Sequence, residues 1–386
     1  MTGLRKGTEV CEVFRARGLL EAGQACRMAL VSRMTPTLPR TDSEPALAAV
    51  SAESLGKALG LTRVALEGQV EHLCSLGFAI ESVAGTGYRL ARPFTDLLVA
   101  EAVLPLLLEQ VDPTSSWVAG LPYRYCLRCE STSLALREEV ASSPPGTMVA
   151  ADEQTGGRGR LGRTWVSAPG KDLTFSVLLP PSVTPALAPL LSLAAALAAA
   201  EVLEALPGLA GRIEVKWPND VLLDGKKVCG ILLESCMAVE RLQWLIAGIG
   251  LNVNSDTSAL LRELNPGEGG ESSGKPQPTS LREGLGHEVA RGPLLAGLLA
   301  RLTRRWTEGA TSDLLDQLRA RDGLRGRQVE ILSGPPDNAP VMAGEALGIG
   351  PDGQLLVRDR TGATVPVFAG EVTVSGGPLT APADGG

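Results

Sequence analysis

Three rhythms of hydrophobic and polar positions follow one another along the chain. Between residues 46 and 92 apolar side chains recur at helical spacing in short segments. Ser51 stands where it can cap a helix running to residue 58, and Gly60-Leu61-Thr62 supplies a turn and a second N-cap. The segment 63–75 then places Leu66, Val70 and Leu73 on one face, and Gly77 ends it. The runs 78–83 and 88–90 flank Ala84-Gly85-Thr86-Gly87 as a small hairpin, and residues 94–111, apolar around Glu101 and Pro105, predict a connecting helix. From residue 123 the period shortens. Strands are expected over 123–128, 147–151, 173–179, 213–217, 221–223, 228–234 and 242–249, with helices over 134–142 and 189–206. Asp224-Gly225 between two apolar runs is a type I′ hairpin signal, so the sheet is at least partly antiparallel. Helical spacing returns over 293–321. Short strands follow over 328–332, 341–349, 355–358 and 365–367, with a turn at Pro351-Asp352-Gly353, as in a small β-barrel.

These changes of period set the expected domain order. An N-terminal extension, 1–45, is expected to be disordered, and Met28 and Met34 suggest that part of it lies upstream of the true start. Helix, turn, helix and hairpin over 46–92 have the order of a winged helix-turn-helix, followed by a connecting helix over 93–113. A mixed α/β domain over 114–321 is interrupted by a Gly/Ser/Pro-rich loop at 265–278, and a small barrel over 322–376 precedes a disordered tail, 377–386. A chain of 386 residues, 44% of them hydrophobic, has apolar material for two or three such cores. The longest apolar run, 187–200, falls short of the ~18 residues that suggest a membrane span and reads as a buried alanine-rich helix. Lacking an apolar leader, and with seven cysteines thinly spread, the chain reads as cytoplasmic with reduced thiols. Cys126-Leu127-Arg128-Cys129 has no second pair at zinc spacing, which leaves it a weak metal or redox signal.

Charge and histidine count narrow the chemistry. The net charge is −7, so the chain as a whole is no nucleic-acid binder, although a local basic patch remains open. The would-be recognition helix carries Arg63 against Glu67 and Glu71, where a helix facing phosphates should be neutral or basic. His72 and His287 are the only histidines, which excludes multi-histidine metal sites and leaves no plausible histidine triad. Catalysis must then rest on arginine, lysine, acids and backbone amides.

Four segments carry candidate chemistry. Gln154-Thr-Gly-Gly-Arg-Gly-Arg-Leu-Gly-Arg163 formally holds GxGxxG, but Thr164-Trp165-Val166-Ser167-Ala168-Pro169 follows it, not a helix, so the dinucleotide reading fails. Its glycines and Arg158, Arg160 and Arg163 make either a solvated linker or a pliable cationic loop that folds over an anion. Lys216, in Lys216-Trp-Pro-Asn-Asp220, is either a snorkelling surface lysine or a buried cation facing a carboxylate or phosphate. Gly248-Ile-Gly-Leu-Asn-Val-Asn254 is a strand whose glycines admit a ligand to the backbone. Ser131, Thr132 and Ser133 precede a helix, as caps or as contacts to a small polar head.

Taken in order, these motifs resemble those of the biotin–protein ligases. Lys227-Val-Cys-Gly-Ile-Leu-Leu-Glu234 and Thr279-Ser-Leu281 extend the match, which runs from about residue 46 to 375. The flanking segments resemble the bifunctional type that is also the repressor of the biotin operon. The resemblance implies a class II synthetase-like core, mixed α/β with a largely antiparallel sheet, between a winged helix-turn-helix and an SH3-like barrel. It implies that biotin and MgATP form biotinyl-5′-adenylate, whose biotinyl group passes to a lysine of a biotin carboxyl carrier protein. Implied biotin contacts are Ser131, Thr132, Ser133, Gln154, Arg158, Gly159, Arg160, Lys216 and Gly230. Implied ATP or adenylate contacts are Arg158, Arg160, Arg163, Trp165, Lys216, Asn219 and Asn252, with Lys216 and Arg160 as the catalytic pair and Mg2+ arriving with ATP. Operator DNA, met by Thr62 and Arg63, and a homodimer are further implied partners, with no membrane role. Asp172-Leu173-Thr174 departs from the Asn-Leu-Tyr usual in the family.

Overall fold

The computed structural model describes residues 15, 18, 20–35, 48–180, 188–238, 241–258, 276–309, 311–333 and 339–374. The expected tail and most of the expected loop at 265–278 lie outside them. The chain divides into two compact units, Met1–Tyr125 with Ala290–Ala300, and Cys126–Val289 with Arg301–Gly386.

The first unit contains α1 (Ala22–Met34), β1 (Val50–Ser51), α2 (Ala52–Leu59), α3 (Arg63–Ser75), β2 (Ile80–Val83), β3 (Gly87–Leu90) and α4 (Ala100–Leu108). The Ser51 hydroxyl accepts the Ser54 N–H at 3.3 Å and starts α2, and Gly60 ends it with φ of 66°. Thr62 starts α3 by accepting the Ala65 N–H at 3.3 Å. Leu66, Val70 and Leu73 face inward, as their spacing predicts, and join Leu55, Phe78 and Phe94 in one core. The three strands form a small antiparallel sheet in the order β1-β3-β2.

The N-terminal segment departs from expectation. Its α1 helix sends Leu30, Val31 and Met34 into that same core. Arg27 and Arg33 interrupt the apolar spacing in sequence, but burial of those three side chains outweighs the polar positions between them. Arg27 pairs with Glu101 at 2.7 Å, so the glutamate that interrupts the apolar run 94–111 lies buried with its charge met.

The second unit is built on a seven-stranded sheet. Its strands are β4 (Tyr123–Cys129), β5 (Met148–Gln154), β6 (Leu173–Leu178), β7 (Ile213–Lys216), β8 (Asp220–Leu223), β9 (Lys226–Ala238) and β10 (Arg241–Leu251), in the order β4-β5-β6-β10-β9-β8-β7. The ladders from β5 through β7 are all antiparallel. Asp224 and Gly225 both take positive φ, 51° and 73°, which is the type I′ turn their sequence predicts between β8 and β9. The helices are α5 (Thr132–Glu138), α6 (Ala188–Glu204), α7 (Leu281–Leu285) and α9 (Ser312–Ala320), while α8 (Arg291–Glu308) is shared between the units. The alanine run of α6 is buried against β7, β8 and β9, where its small side chains let helix and sheet approach.

A second, five-stranded antiparallel sheet follows: β11 (Gln328–Leu332), β12 (Pro340–Ile349), β13 (Leu355–Asp359), β14 (Thr364–Val367) and β15 (Glu371–Val374), in the order β14-β13-β12-β11-β15. The sequence pattern did not predict β15, which has four residues and opens on a glutamate. Two bonds seat this sheet on the larger one's neighbourhood. Trp217 Nε1 donates to the Gly353 carbonyl at 2.9 Å, and Arg319 Nε donates to the Ile349 carbonyl at 3.0 Å.

Candidate active site

One cavity of the second unit gathers almost every residue singled out in the sequence. Ser131, Thr132, Ser133, Gln154, Arg158, Gly159, Arg160, Arg163, Trp165, Lys216, Asn219 and Gly230 all line it. Asn252 does not. It is buried, donates from Nδ2 to the Thr279 carbonyl at 3.0 Å, and keeps Oδ1 without a hydrogen-bond partner.

At one end the cavity is a nest of neutral polar groups. Ser131 is the N-cap of α5 but its side chain caps nothing, which decides against the capping reading. Gln154 takes that place from the neighbouring strand, with Oε1 accepting the Thr132 N–H at 2.8 Å and the Thr132 hydroxyl at 3.1 Å. The Thr132 and Ser133 hydroxyls both meet Ser176 Oγ, at 2.8 and 2.9 Å. A Cβ on Gly248 would stand 2.9 Å from Ser133 Oγ, so the glycine leaves the hydroxyl its room. The sequence reading missed Ser176. Its signal was a hydroxyl two positions after Thr174, on the same side of a buried strand.

The arginine-glycine loop is folded, which excludes the solvated-linker reading for these residues. Gly159 N–H donates to Arg163 O at 2.7 Å, and Trp165 N–H donates to Gly157 O at 2.9 Å. A Cβ at Gly157 would lie 2.3 Å from the Trp165 carbonyl, so this crossing needs glycine. Arg160 turns into the cavity and donates to Asn219 Oδ1 at 3.0 Å and Gly370 O at 3.3 Å. Arg163 pairs with Glu371, and Arg158 lies 4.0 Å from Glu234. Burial holds Arg160 below its usual basicity, an effect that Asp220 opposes.

Trp165 closes the other wall. Its ring lies on Gly230 and Gly250, which are cross-strand partners. A Cβ on Gly250 would stand 2.3 Å from the indole, and one on Gly230 3.0 Å from it. The paired glycines therefore make a flat floor for an aromatic ring. The Lys227 ammonium sits 5.7 Å from the ring centroid, within cation–π range, and the indole Nε1 has no hydrogen-bond partner.

Two lysines share one carboxylate. Lys227 Nζ lies 2.7 Å from Asp220 Oδ1. Lys216 is buried and donates to the Val372 carbonyl at 2.8 Å, so the snorkelling reading does not hold. Burial, helped by Lys227, Arg163 and Arg160 and opposed by Asp220, lowers the Lys216 pKa to about 8. Burial pushes the Asp220 carboxyl up, but Lys227, Lys216 and Arg160 outweigh it and hold the group below its ordinary value. Lys227, Asp220, Glu371 and Val372 line the same cavity, and the sequence reading gave none of them a role. Lys227 and Asp220 stand seven positions apart in sequence and meet only because β8 and β9 form a hairpin.

Asp172, the departure noted in the sequence, faces away from this wall. Its Oδ1 accepts the Val253 N–H at 2.8 Å and its Oδ2 accepts the Ala168 N–H at 3.0 Å. It thereby ties the turn after Trp165 to the chain leaving β10. Burial raises its pKa, against the backbone bonds that favour the carboxylate. Among the described residues no group of three or more His, Cys, Asp or Glu side chains could cage a metal ion, and no helix is long and apolar enough to cross a membrane.

The biotin/lipoate A/B protein ligase family model matches residues 124–252. Over 319 residues the chain is 32% identical to the bifunctional ligase/repressor BirA of Bacillus spizizenii, covering 81% of this chain and 90% of that protein. It is 32% identical over 253 residues to a biotin–[acetyl-CoA-carboxylase] ligase of Paracoccus denitrificans, covering 64% of this chain and 99% of that one. Among solved structures, the biotin protein ligase from Aquifex aeolicus in complex with biotin and ATP is similar, with a TM-score of 0.52 and 29% identity. That likeness covers 65% of this chain and 97% of the other.

The buried lysine has a measurable consequence. The unfolded chain holds the Lys216 proton up to its ordinary value of 10.5, the folded chain only to about 8, so folding gains stability as pH rises through that window. Lys216→Met abolishes this gain. Denaturant unfolding of wild type and variant at pH 7 and pH 10.5 should show the variant's relative stability falling by roughly 2–3 kcal/mol between the two. A pH-independent difference would mean that the ammonium is not desolvated.

Proposed function

The chain belongs to the biotin/lipoate A/B protein ligase family, and on that premise we propose that it is an ATP-dependent biotin–protein ligase. It forms biotinyl-5′-adenylate from biotin and MgATP, then transfers the biotinyl group to a lysine of a biotin carboxyl carrier protein. The observation that carries this reading is one cavity with a neutral hydroxyl-amide nest at one end and five cations, Arg158, Arg160, Arg163, Lys216 and Lys227, around the other. The nest at Ser131, Thr132, Ser133 and Gln154 suits a compact uncharged head with donors and acceptors, which the ureido ring of biotin provides. The cations suit a carboxylate meeting a triphosphate. The relatives' names support biotin over lipoate, and ATP as a substrate supports a cytoplasmic location.

In the first step the biotin carboxylate attacks the α-phosphorus. The new O–P bond forms as the α–β anhydride breaks, and pyrophosphate leaves with the electron pair. Two anions must approach, and Lys227, Arg160 and Arg158 offset that repulsion with positive charge on the cavity wall. We assign Lys227 to the reacting oxygens because it is the more open lysine, and Lys216, held on Val372 until a ligand enters, to positive potential around the phosphates. Magnesium enters as part of MgATP. Trp165 on its glycine floor offers a stacking wall for the adenylate, and the unpartnered Asn252 Oδ1 offers an acceptor to an amino group on the base. The folded Arg158–Arg163 loop keeps water from the mixed anhydride. In the second step the carrier amine attacks the biotinyl carbonyl, AMP departs, and the amine sheds its proton to solvent. No histidine is needed because the acyl group is already activated.

We read the first unit as a winged helix-turn-helix and the five-stranded sheet as an SH3-like barrel beside a class II synthetase-like core. Unit one's helix order favours a second role as a biotin-responsive repressor that binds operator DNA as a homodimer. Its reading helix is muted. Thr62 is spent as the N-cap of α3, and Arg63 bonds Glu67 at 2.9 Å. Glu67→Ala should therefore tighten binding to promoters of the chain's own biotin genes, measured by fluorescence anisotropy at low salt with biotin and MgATP. An unmoved, salt-insensitive signal would remove the repressor role and leave the ligase.

The ligase reading is tested by exchange of labelled pyrophosphate into ATP. Exchange should require biotin, and Lys227→Ala should slow it by about 100-fold or more. Exchange that follows lipoate and not biotin would overturn the substrate assignment.

A further inference from the structure

Strand β15 is an edge strand, paired with β11 on one side only. An unpaired strand edge presents carbonyls that need donors. Here the donors are the cations of the cavity. Arg160 donates to Gly370 O at 3.3 Å, Lys216 donates to Val372 O at 2.8 Å, and between them Arg163 pairs with the Glu371 carboxylate. Three of the five cavity cations are thus held by one tripeptide. Glu371 is buried, and Arg163 helps to meet its charge there. Phosphate oxygens would seek the same donors in the same fork-like geometry.

We propose that Gly370-Glu371-Val372 is an internal anion surrogate, which an incoming polyphosphate displaces, and that Glu371 thereby sets the affinity of the site for the anionic part of the nucleotide. This rests on the ligase reading only in expecting a polyphosphate at these cations. The surrogate keeps Arg160, Arg163 and Lys216 pre-positioned while no substrate is present, and it sets a threshold that weakly charged ligands fail to cross. Displacement frees the edge of β15, so occupancy of the cavity loosens the strand that borders it.

The test uses the full chain and inorganic pyrophosphate. Isothermal titration of wild type and Glu371→Gln should show the variant binding pyrophosphate on the order of fivefold tighter, because a competing negative charge is gone while the shape is kept. Thermal unfolding checks that the variant folds. Independently of any variant, hydrogen exchange of wild-type residues 371–374 should quicken when pyrophosphate is added. Equal or weaker binding by Glu371→Gln overturns the surrogate, as does slowed or unchanged exchange, and either leaves the ligase reading standing. Pyrophosphate bound by neither protein overturns the surrogate together with the anion site.

Discussion

Keeping cations where water is scarce is the constraint around which the second unit is organised. Each buried charge costs several kcal/mol unless it is met. Asp220 pairs with Lys227 and attracts the buried Lys216, and the register of the β8–β9 hairpin brings Asp220 and Lys227 to 2.7 Å. Arg160, Arg163 and Lys216 are met by a strand that starts more than 150 residues beyond Lys216 in sequence. The five-stranded sheet is therefore part of the electrostatics of the cavity as well as a neighbour in the fold.

The rest of the site follows from what those cations leave open. Glycines occur where the ligand-facing surface must be thin: Gly248 behind the hydroxyl nest, Gly230 and Gly250 under the indole, Gly157 at the loop crossing. Asp172 then fixes the turn that follows the loop to the chain that leaves β10. One end of the cavity is neutral and rich in hydroxyls, the other is cationic, and an aromatic wall joins them. A substrate with an uncharged polar head and a carboxylate that must reach a phosphate has matching chemistry at both ends.

Much of this was legible in the sequence because it is local. The arginine-glycine loop, Lys216-Trp-Pro-Asn-Asp220 and the serine-threonine-serine run each announce themselves by composition, and the Asp224-Gly225 turn by its dipeptide. What escaped is long-range. Lys227 stood in the sequence only as the start of a motif, and its role shows once the hairpin sets it against Asp220. Glu371 carries no local signal, and its partner Arg163 lies far away in sequence. Ser176 sat silent inside a buried strand, and β15 was too short to show a period. The helix Ala22–Met34 was hidden for another reason, its apolar positions being diluted by charged neighbours that only packing separates from the buried face. Asn252 was named from its motif, and the structure sets it just off the cavity wall with one acceptor unpartnered.

The central claim is that this cavity makes and holds an acyl adenylate of biotin. The direct measurement is to incubate the full chain with biotin and MgATP, remove free ligand, denature the protein and weigh what is released. Biotinyl-5′-adenylate should appear in near-stoichiometric amount and vanish when biotin is left out. Recovery of no adenylate, or of a lipoyl adenylate from the same test with lipoate, would contradict the account.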